Sequence, residues 1–181
     1  MNYRNSEMKV DQIVNYFNEE KINLAPVFQR GHVWRLSVRR KLIENMVQGK
    51  PIPAIFIYKE TAGSKYSYNI LDGKKRLESL ILFIGSQRSD LKIDRWKHYF
   101  AGKKPADDAN FEIHLSGGEY TFKELDESVV WDFREYSIPT IEITVNDGSS
   151  LDEIISLFVD INQQGAKVNL TCPRLLFRLE V

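Results

Sequence analysis

In this sequence an apolar, strand-like segment runs directly into an Asp-Gly turn and then into a helix. This succession limits the folds that the chain can adopt. Residues 66–71, YSYNIL, are apolar and rich in aromatic side chains, as expected for a buried strand. Asp72 and Gly73 follow at once, and glycine lets the backbone turn tightly. Four apolar residues then recur at helical spacing before Gly85: Leu77, Leu80, Ile81 and Ile84. The fold must therefore bring the end of a sheet strand to a helix N-terminus.

The remaining patterns predict an α+β chain. Residues 54–59, AIFIYK, are separated from residues 66–71 by a turn-forming stretch, so the two are predicted to form a hairpin. Helices are predicted over residues 9–20, 37–49, 123–133 and 150–165, and further strands over 111–115 and 136–145, the last broken by Pro139. Helices and strands mixed in this way indicate the α+β class.

The helix predicted to begin at residue 37 carries two distinct faces. Ser37 is expected to cap its start. Its apolar face is expected to consist of five residues: Val38, Leu42, Ile43, Met46 and Val47. Three arginines are expected on its other side: Arg35, Arg39 and Arg40.

The length of 181 residues predicts a single domain, 1–181, with a core of its own. Within it we distinguish a basic part at 1–106, an acidic part at 107–170 and, at 171–181, either a truncated helix or a short terminal helix. The stretch 103–110, KKPADDAN, is the best candidate for a boundary between the first two parts.

The charges are distributed unevenly although the net charge is zero. Residues 1–106 contain 20 Lys and Arg against 10 Asp and Glu, whereas residues 107–160 contain 2 against 14. A basic part indicates an anionic partner. The alternative is that two solvated faces of opposite sign neutralise each other across the fold.

Cysteine and hydropathy patterns indicate a cytoplasmic protein. Cys172 is the single cysteine, so no disulfide framework or zinc cluster is predicted. No apolar run approaches the roughly 20 residues that span a membrane, and the first residues lack the apolar stretch of a signal peptide. The three histidines are scattered, and no metal site of the protein's own is predicted.

The segment Asp72-Gly73-Lys74-Lys75-Arg76 has the chemistry of an anion site, because amides at a helix N-terminus point at a ligand. Arg76 can hold phosphate oxygens in a two-pronged manner, with the two lysines as point charges beside it. Asp72 can bind a divalent metal, accept from a ribose hydroxyl, or orient Arg76. The alternative is a plain Asp-Gly turn before a solvated basic helix start, since cations near a helix N-terminus oppose its dipole.

Residues 28–34, FQRGHVW, form a second cluster that can hydrogen-bond and stack. Arg30 and Trp34 can meet a phosphate and a base. Alternatively, Trp34 anchors the core and Arg30 pairs with an acid such as Asp72. Asn162, at the end of the helix predicted over 150–165, can bond a base edge or cap that helix.

These clusters, in this order, resemble one family. The segments FQRGHVW, LDGKKRLESL and FVDINQQGAKVNL are similar to motifs of the GmrS-type, ParB/sulfiredoxin-like domain of modification-dependent restriction systems, whose usual forms are FQRxxxW, DGQQRL and FxxINxxG. The likeness spans roughly residues 8–176, and three separated motifs in order are far more specific than one alone.

The resemblance implies a small mixed sheet surrounded by helices, with a loop that binds and hydrolyses nucleoside triphosphate, with Mg²⁺ as the accompanying ion. Carried over position by position, it assigns catalytic roles to Asp72 and Arg76. It assigns nucleotide or phosphate binding to seven residues: Gln29, Arg30, Trp34, Gly73, Lys74, Lys75 and Asn162.

Two departures from the family pattern shape the functional prediction. Lys74 and Lys75 replace paired glutamines, and an ammonium group only donates, so phosphate binding is expected to survive better than hydrolysis. No HNH-type cluster of His and Asn follows within these residues, so cleavage of that kind is expected to need a separate nuclease chain or domain. We predict a nucleotide-binding module of a phage-defence or restriction system that regulates DNA cleavage; the alternative is a non-catalytic DNA-binding or protein-interaction module.

Overall fold

The computed structural model describes residues 2–24, 34–60, 67–85 and 110–144, together with Glu153, Ser156, Val159 and Asp160. Met1–Asn146 forms one unit and Asp147–Val181 a second. In the second unit the four described residues are helical and exposed. The rest of the helix predicted over 150–165, the terminal helix at 171–181 and residues 103–109 of the predicted boundary lie outside the described residues.

The first unit is built from short strands and helices that alternate along the chain. Its strands are β1 (Asn2–Lys9), β2 (Ile22–Asn23), β3 (Ile55–Lys59), β4 (Tyr68–Asp72), β5 (Ile113–Leu115), β6 (Gly118–Tyr120) and β7 (Ser137–Thr144). Its helices are α1 (Val10–Asn18), α2 (Leu36–Val47), α3 (Lys74–Ile84) and α4 (Glu127–Glu135), with a 3₁₀ turn at Phe122–Glu124. This mixture confirms the predicted α+β class, and the ParB/sulfiredoxin-like arrangement stays a prediction.

Five of the strands form one mixed sheet in the order β1, β7, β3, β4, β2. Strand β1 is antiparallel to β7 and β3 is antiparallel to β4, whereas β3 runs parallel to β7 and β2 parallel to β4. Strands β5 and β6 form a separate antiparallel pair. Because β2 and β4 run in the same direction, both end at the same edge of the sheet.

The predicted hairpin and the strand, turn and helix after it are confirmed. Ile57 lies opposite Ile70 in the β3–β4 ladder, and an irregularity between Phe56 and Ile57 places Phe56 opposite Asp72. The pairing therefore ends with Asp72, and helix α3 begins two residues later at Lys74. The register of this hairpin is what sets the position of the basic segment.

The prediction for helix α2 was wrong in its start and in part of its buried face. The helix begins at Leu36 with Arg35 as its N-cap, so Ser37 does not cap it. Arg39 is fully buried, whereas Val38 is 44% exposed. The buried positions 39, 42, 43 and 46 follow helical spacing, and this spacing places Arg39 on the inner face despite its charge.

Two further predictions needed correction along the last part of the first unit. Strand β7 is continuous through Pro139, which pairs with Glu7 of β1. Its pairing with β3 begins only at Thr140, so Pro139 lies where β7 has no partner on that side and its missing N–H disrupts no bond to β3. The helix predicted over 123–133 divides into the 3₁₀ turn and α4.

The core lies between the sheet and the helices. Val10, Ile13, Val14 and Phe17 of α1 are buried, as their spacing predicted. An aromatic cluster of Phe83, Phe111, Phe122 and Phe133 joins α3 to the segment that carries the 3₁₀ turn and α4, with ring centroids of neighbouring members 5.4 to 6.1 Å apart. This packing holds the C-terminal end of α3, and the N-terminal end of α3 follows the turn after β4.

Candidate functional site

Gly73 makes the turn between β4 and α3, and its position admits no other residue without strain. Its φ is +95°, a conformation that side chains other than hydrogen rarely adopt. A Cβ built there would lie 2.4 Å from Ile55 Cγ2 and 3.1 Å from Arg76 Nη2. The chain therefore reverses tightly against β3, and Gly73, the N-cap of α3, has no side chain with which to cap the helix.

Arg76 closes this turn from within the first turn of α3. Its Nη2 donates to Asp72 Oδ2 at 2.8 Å and to the carbonyl oxygen of Ala54 at 3.0 Å. Its Nε is buried and has no partner among the described residues. The Arg76 side chain is 14% exposed and that of Asp72 40%. Among the roles considered for Asp72, orientation of Arg76 is the one seen here.

These contacts change how Arg76 can meet an anion. One nitrogen of its planar fork is committed to two acceptors and another is buried, so the fork is directed toward the protein. The carboxylate of Asp72 remains accessible at 40% exposure. In this conformation Arg76 is better placed to hold Asp72 and the turn than to take two phosphate oxygens.

The two lysines of the segment have different surroundings. Lys75 Nζ lies 2.7 Å from Glu78 Oε2, and the side chains of the pair are 18% and 2% exposed. Lys74 is partly exposed and also takes part in an interaction. Both lysines were predicted to act as point charges toward phosphate, but Lys75 has a buried carboxylate as its partner.

A second layer of polar side chains lies behind the first turn of α3. Ser79 Oγ donates to the carbonyl oxygen of Lys75 at 2.6 Å, and Arg39 Nη1 donates to Ser79 Oγ at 3.4 Å. Arg39 and Ser79 are both fully buried. Sequence reasoning missed Arg39, Glu78 and Ser79; the i, i+3 spacing of Lys75 and Glu78 was a usable signal for one pair.

The other predicted site residues are only partly covered by the structure. Trp34 precedes α2, is half-buried and packs against the hydrophobic core, which favours its role as an anchor. Gln29, Arg30 and Asn162 lie outside the described residues. The described part of the chain therefore brings together Asp72, the lysines and Arg76 but does not test the two other motifs.

The described residues contain no group of three or more His, Cys, Asp or Glu side chains able to hold a metal ion. His114 is exposed and its Nδ1 lies 3.0 Å from Glu119 Oε1. Among those same residues no helix is both long and apolar enough to cross a membrane.

The fold and the site place this protein among mixed α+β domains in which a glycine turn and a basic helix N-terminus lie at one edge of the sheet. Residues 13–171 match the family of the GmrSD restriction endonuclease N-terminal domain, and the chain belongs to that family. It is therefore a component of a restriction system, and the family resemblance inferred from the three motifs is confirmed. Comparison with curated proteins and with solved structures gave no significant match.

Proposed function

We propose that this domain binds a nucleoside triphosphate at the turn between β4 and α3 and so regulates DNA cleavage by its restriction system. The observation that carries the proposal is the pairing of Arg76 with Asp72 across the N-terminus of α3, at 2.8 Å. This pair stabilises a tight turn at a helix start, where backbone amides and the helix dipole favour an anion. Membership of the restriction family supports a regulatory role in the same system.

Each residue of the segment has a proposed role. Gly73 allows the phosphates to approach the backbone, and Lys74 contributes a positive charge beside them. Asp72 accepts a hydrogen bond from a ribose hydroxyl or provides one oxygen to Mg²⁺. Its 40% exposure fits either use, because proteins bind Mg²⁺ through one or two carboxylates together with substrate phosphates.

Bound Mg²⁺ would neutralise charge on the phosphate oxygens. Arg76 keeps Asp72 oriented, and Ile55 with Gly73 forms the close-packed floor of the turn. Gln29, Arg30 and Trp34 are proposed as further contacts to the nucleotide on the basis of the family motifs.

Slow or absent hydrolysis is part of the proposal. The two positions that carry glutamine in the usual family motif are lysines here, and an ammonium group cannot accept a hydrogen bond from an attacking water. The domain is therefore proposed to hold its nucleotide and signal that it is bound. A separate nuclease chain or domain would carry out the cleavage.

Thermal-shift titration with each of the four common ribonucleoside triphosphates, with and without Mg²⁺, tests the proposal. A ligand at 100 times its Kd stabilises the native state by about 2.7 kcal/mol, which corresponds to a Tm increase of about 5–10 °C for a chain of this size. Asp72→Asn, which keeps the shape but removes the charge, should reduce the increase.

Two results would redirect the assignment. No response to any triphosphate would overturn nucleotide binding. A response to duplex DNA alone, with an affinity that falls linearly with salt on logarithmic axes, would establish the alternative of a DNA-binding module.

A further inference from the structure

The surroundings of Lys75 differ from those expected of a phosphate ligand. Its ammonium group lies 2.7 Å from Glu78, whose side chain is only 2% exposed. A carboxylate removed from water in this way is costly unless a cation compensates it. The Lys75 ammonium group therefore already compensates the charge of the Glu78 carboxylate before any ligand binds.

The backbone of Lys75 is also held from inside the protein. Ser79 Oγ donates to the Lys75 carbonyl oxygen at 2.6 Å, and Arg39 Nη1 of α2 donates to Ser79 Oγ at 3.4 Å. Both Arg39 and Ser79 are fully buried. Lys75 is thus fixed at its carbonyl and at its ammonium group by side chains that have little or no contact with water.

We propose that Lys75 is a positioning residue of the phosphate loop and not one of its ligands. Glu78, Ser79 and Arg39, the buried brace, hold it in place, so that Lys75 sets the shape of the first turn of α3. Lys74 lies about 100° away around the helix, at 3.6 residues per turn, and its partly exposed side chain is the one assigned to the phosphates. The identity of the ligand rests on the proposed function, whereas the buried brace does not.

A double-mutant cycle on stability tests the brace without any ligand. Lys75→Gln removes the ammonium group that lies beside the buried Glu78 carboxylate, and we expect Tm to fall by at least about 5 °C. Glu78→Gln leaves the ammonium without its carboxylate and should also lower Tm. The double variant keeps a neutral pair of similar shape and net charge, and its Tm should return to within about 2 °C of the wild type. Equal Tm values for the wild type and Lys75→Gln, or additive losses in the double variant, would overturn the brace.

Affinity for ATP and for inorganic tripolyphosphate, each with Mg²⁺, separates a positioning residue from a ligand. Lys75→Gln alone should bind both probes more weakly, because the first turn of α3 loses its support. The double variant Lys75→Gln with Glu78→Gln should return to within about twofold of the wild type, because its neutral pair keeps the shape of that turn and no phosphate contact has been removed. The matched control Lys74→Gln should lose about tenfold. A tenfold loss in the double variant with restored Tm would make Lys75 a ligand.

The two hypotheses fail in different ways. If the wild type binds neither probe, the proposed function fails, and the stability cycle still decides whether the buried brace exists. If Lys75→Gln is too unstable to purify, the double variant carries both measurements. A double variant that is also unstable would overturn the proposal, because the cation of Lys75 would then be needed for more than the compensation of Glu78.

Discussion

Arg76 donates to Asp72 at 2.8 Å across the turn that connects β4 to α3. The same nitrogen donates to the Ala54 carbonyl oxygen at the start of β3. A single guanidinium group therefore ties together the end of β4, the residue that precedes its neighbouring strand β3, and the first turn of α3. The segment that resembles a phosphate loop is held by the residue that was predicted to bind the phosphate.

Arg76→Ala is expected to lower both stability and nucleotide affinity. Loss of a partly buried, charge-assisted contact should cost about 1.5–3 kcal/mol of the free energy of unfolding, and Asp72 would lose its orientation. Urea unfolding measures the first effect and calorimetry with triphosphate and Mg²⁺ the second. The control is Arg35→Ala, because Arg35 is exposed and lies in the same basic part. Unchanged affinity in Arg76→Ala would rule out a role for Arg76 in the site.

Gly73→Ala should be more destabilising than Gly49→Ala, although both glycines have a positive φ. At Gly73 the new Cβ would lie 2.4 Å from Ile55 Cγ2 at a φ of +95°, so strain and overpacking add to about 2–5 kcal/mol. At Gly49 the φ is +67° but nothing lies within 4 Å, so only strain of about 1 kcal/mol is expected. Urea unfolding of both variants gives the comparison. Similar losses at the two positions would contradict the close packing against β3.

Lys74→Gln is expected to weaken nucleotide binding and to raise any hydrolysis. An amide can donate to a phosphate oxygen and also accept from an attacking water, whereas the ammonium group only donates. Phosphate release should be measured on the wild type and on Lys74→Gln at saturating triphosphate and Mg²⁺. The wild type should release phosphate slowly or not at all. Brisk release by the wild type that falls in Lys74→Gln would reverse the assignment and make this lysine catalytic.

Stability should decline at alkaline pH because three tyrosines are buried or partly buried. Burial raises the pKa of Tyr58, Tyr68 and Tyr136 above the ordinary value of 10.0. The unfolded chain therefore loses these protons first, so their contribution is complete below pH 10 and is lost as pH rises through the folded pKa.

Urea unfolding of the wild type and Tyr136→Phe between about pH 8 and about pH 10.5 measures this decline. The variant should be less stable by about 1 kcal/mol at neutral pH, because the Tyr136 hydroxyl donates to the Lys50 carbonyl oxygen at 2.7 Å. Its alkaline decline should be shallower than that of the wild type. Tyr3→Phe is the control, since Tyr3 is 60% exposed. Parallel declines in all three proteins would refute the assignment.

Much of the fold near the site was predictable because local patterns specified it. The succession of an apolar strand, an Asp-Gly turn and an amphipathic helix predicted β4, Gly73 and α3, and each is confirmed. The three motifs also predicted the family, which the match over residues 13–171 confirms. Such patterns are readable because glycine at positive φ and apolar residues at helical spacing have few structural alternatives.

Elements that depend on a distant partner could not be predicted in this way. Strand β1 is a polar segment with little strand character, and it is a strand because its eight residues pair with β7, more than 120 positions away. Likewise, Pro139 was expected to break β7. The pairing of β7 with β3 begins only at Thr140, so no hydrogen bond to β3 needs the N–H that proline lacks. Pairing register is a tertiary property, and neither sequence segment carries it alone.

Local sequence patterns are enough to place Asp72, Gly73, two lysines and Arg76 between a strand and a helix. The directions of their side chains depend instead on contacts that exist only in the folded protein. Arg76 is drawn inward by Asp72 and Ala54, and Lys75 by Glu78. Arg39, expected on the side of α2 opposite its apolar face, is buried behind them. A sequence pattern shows which charges are present, but the free energy of a buried charge depends on the partners that the fold brings within hydrogen-bonding distance.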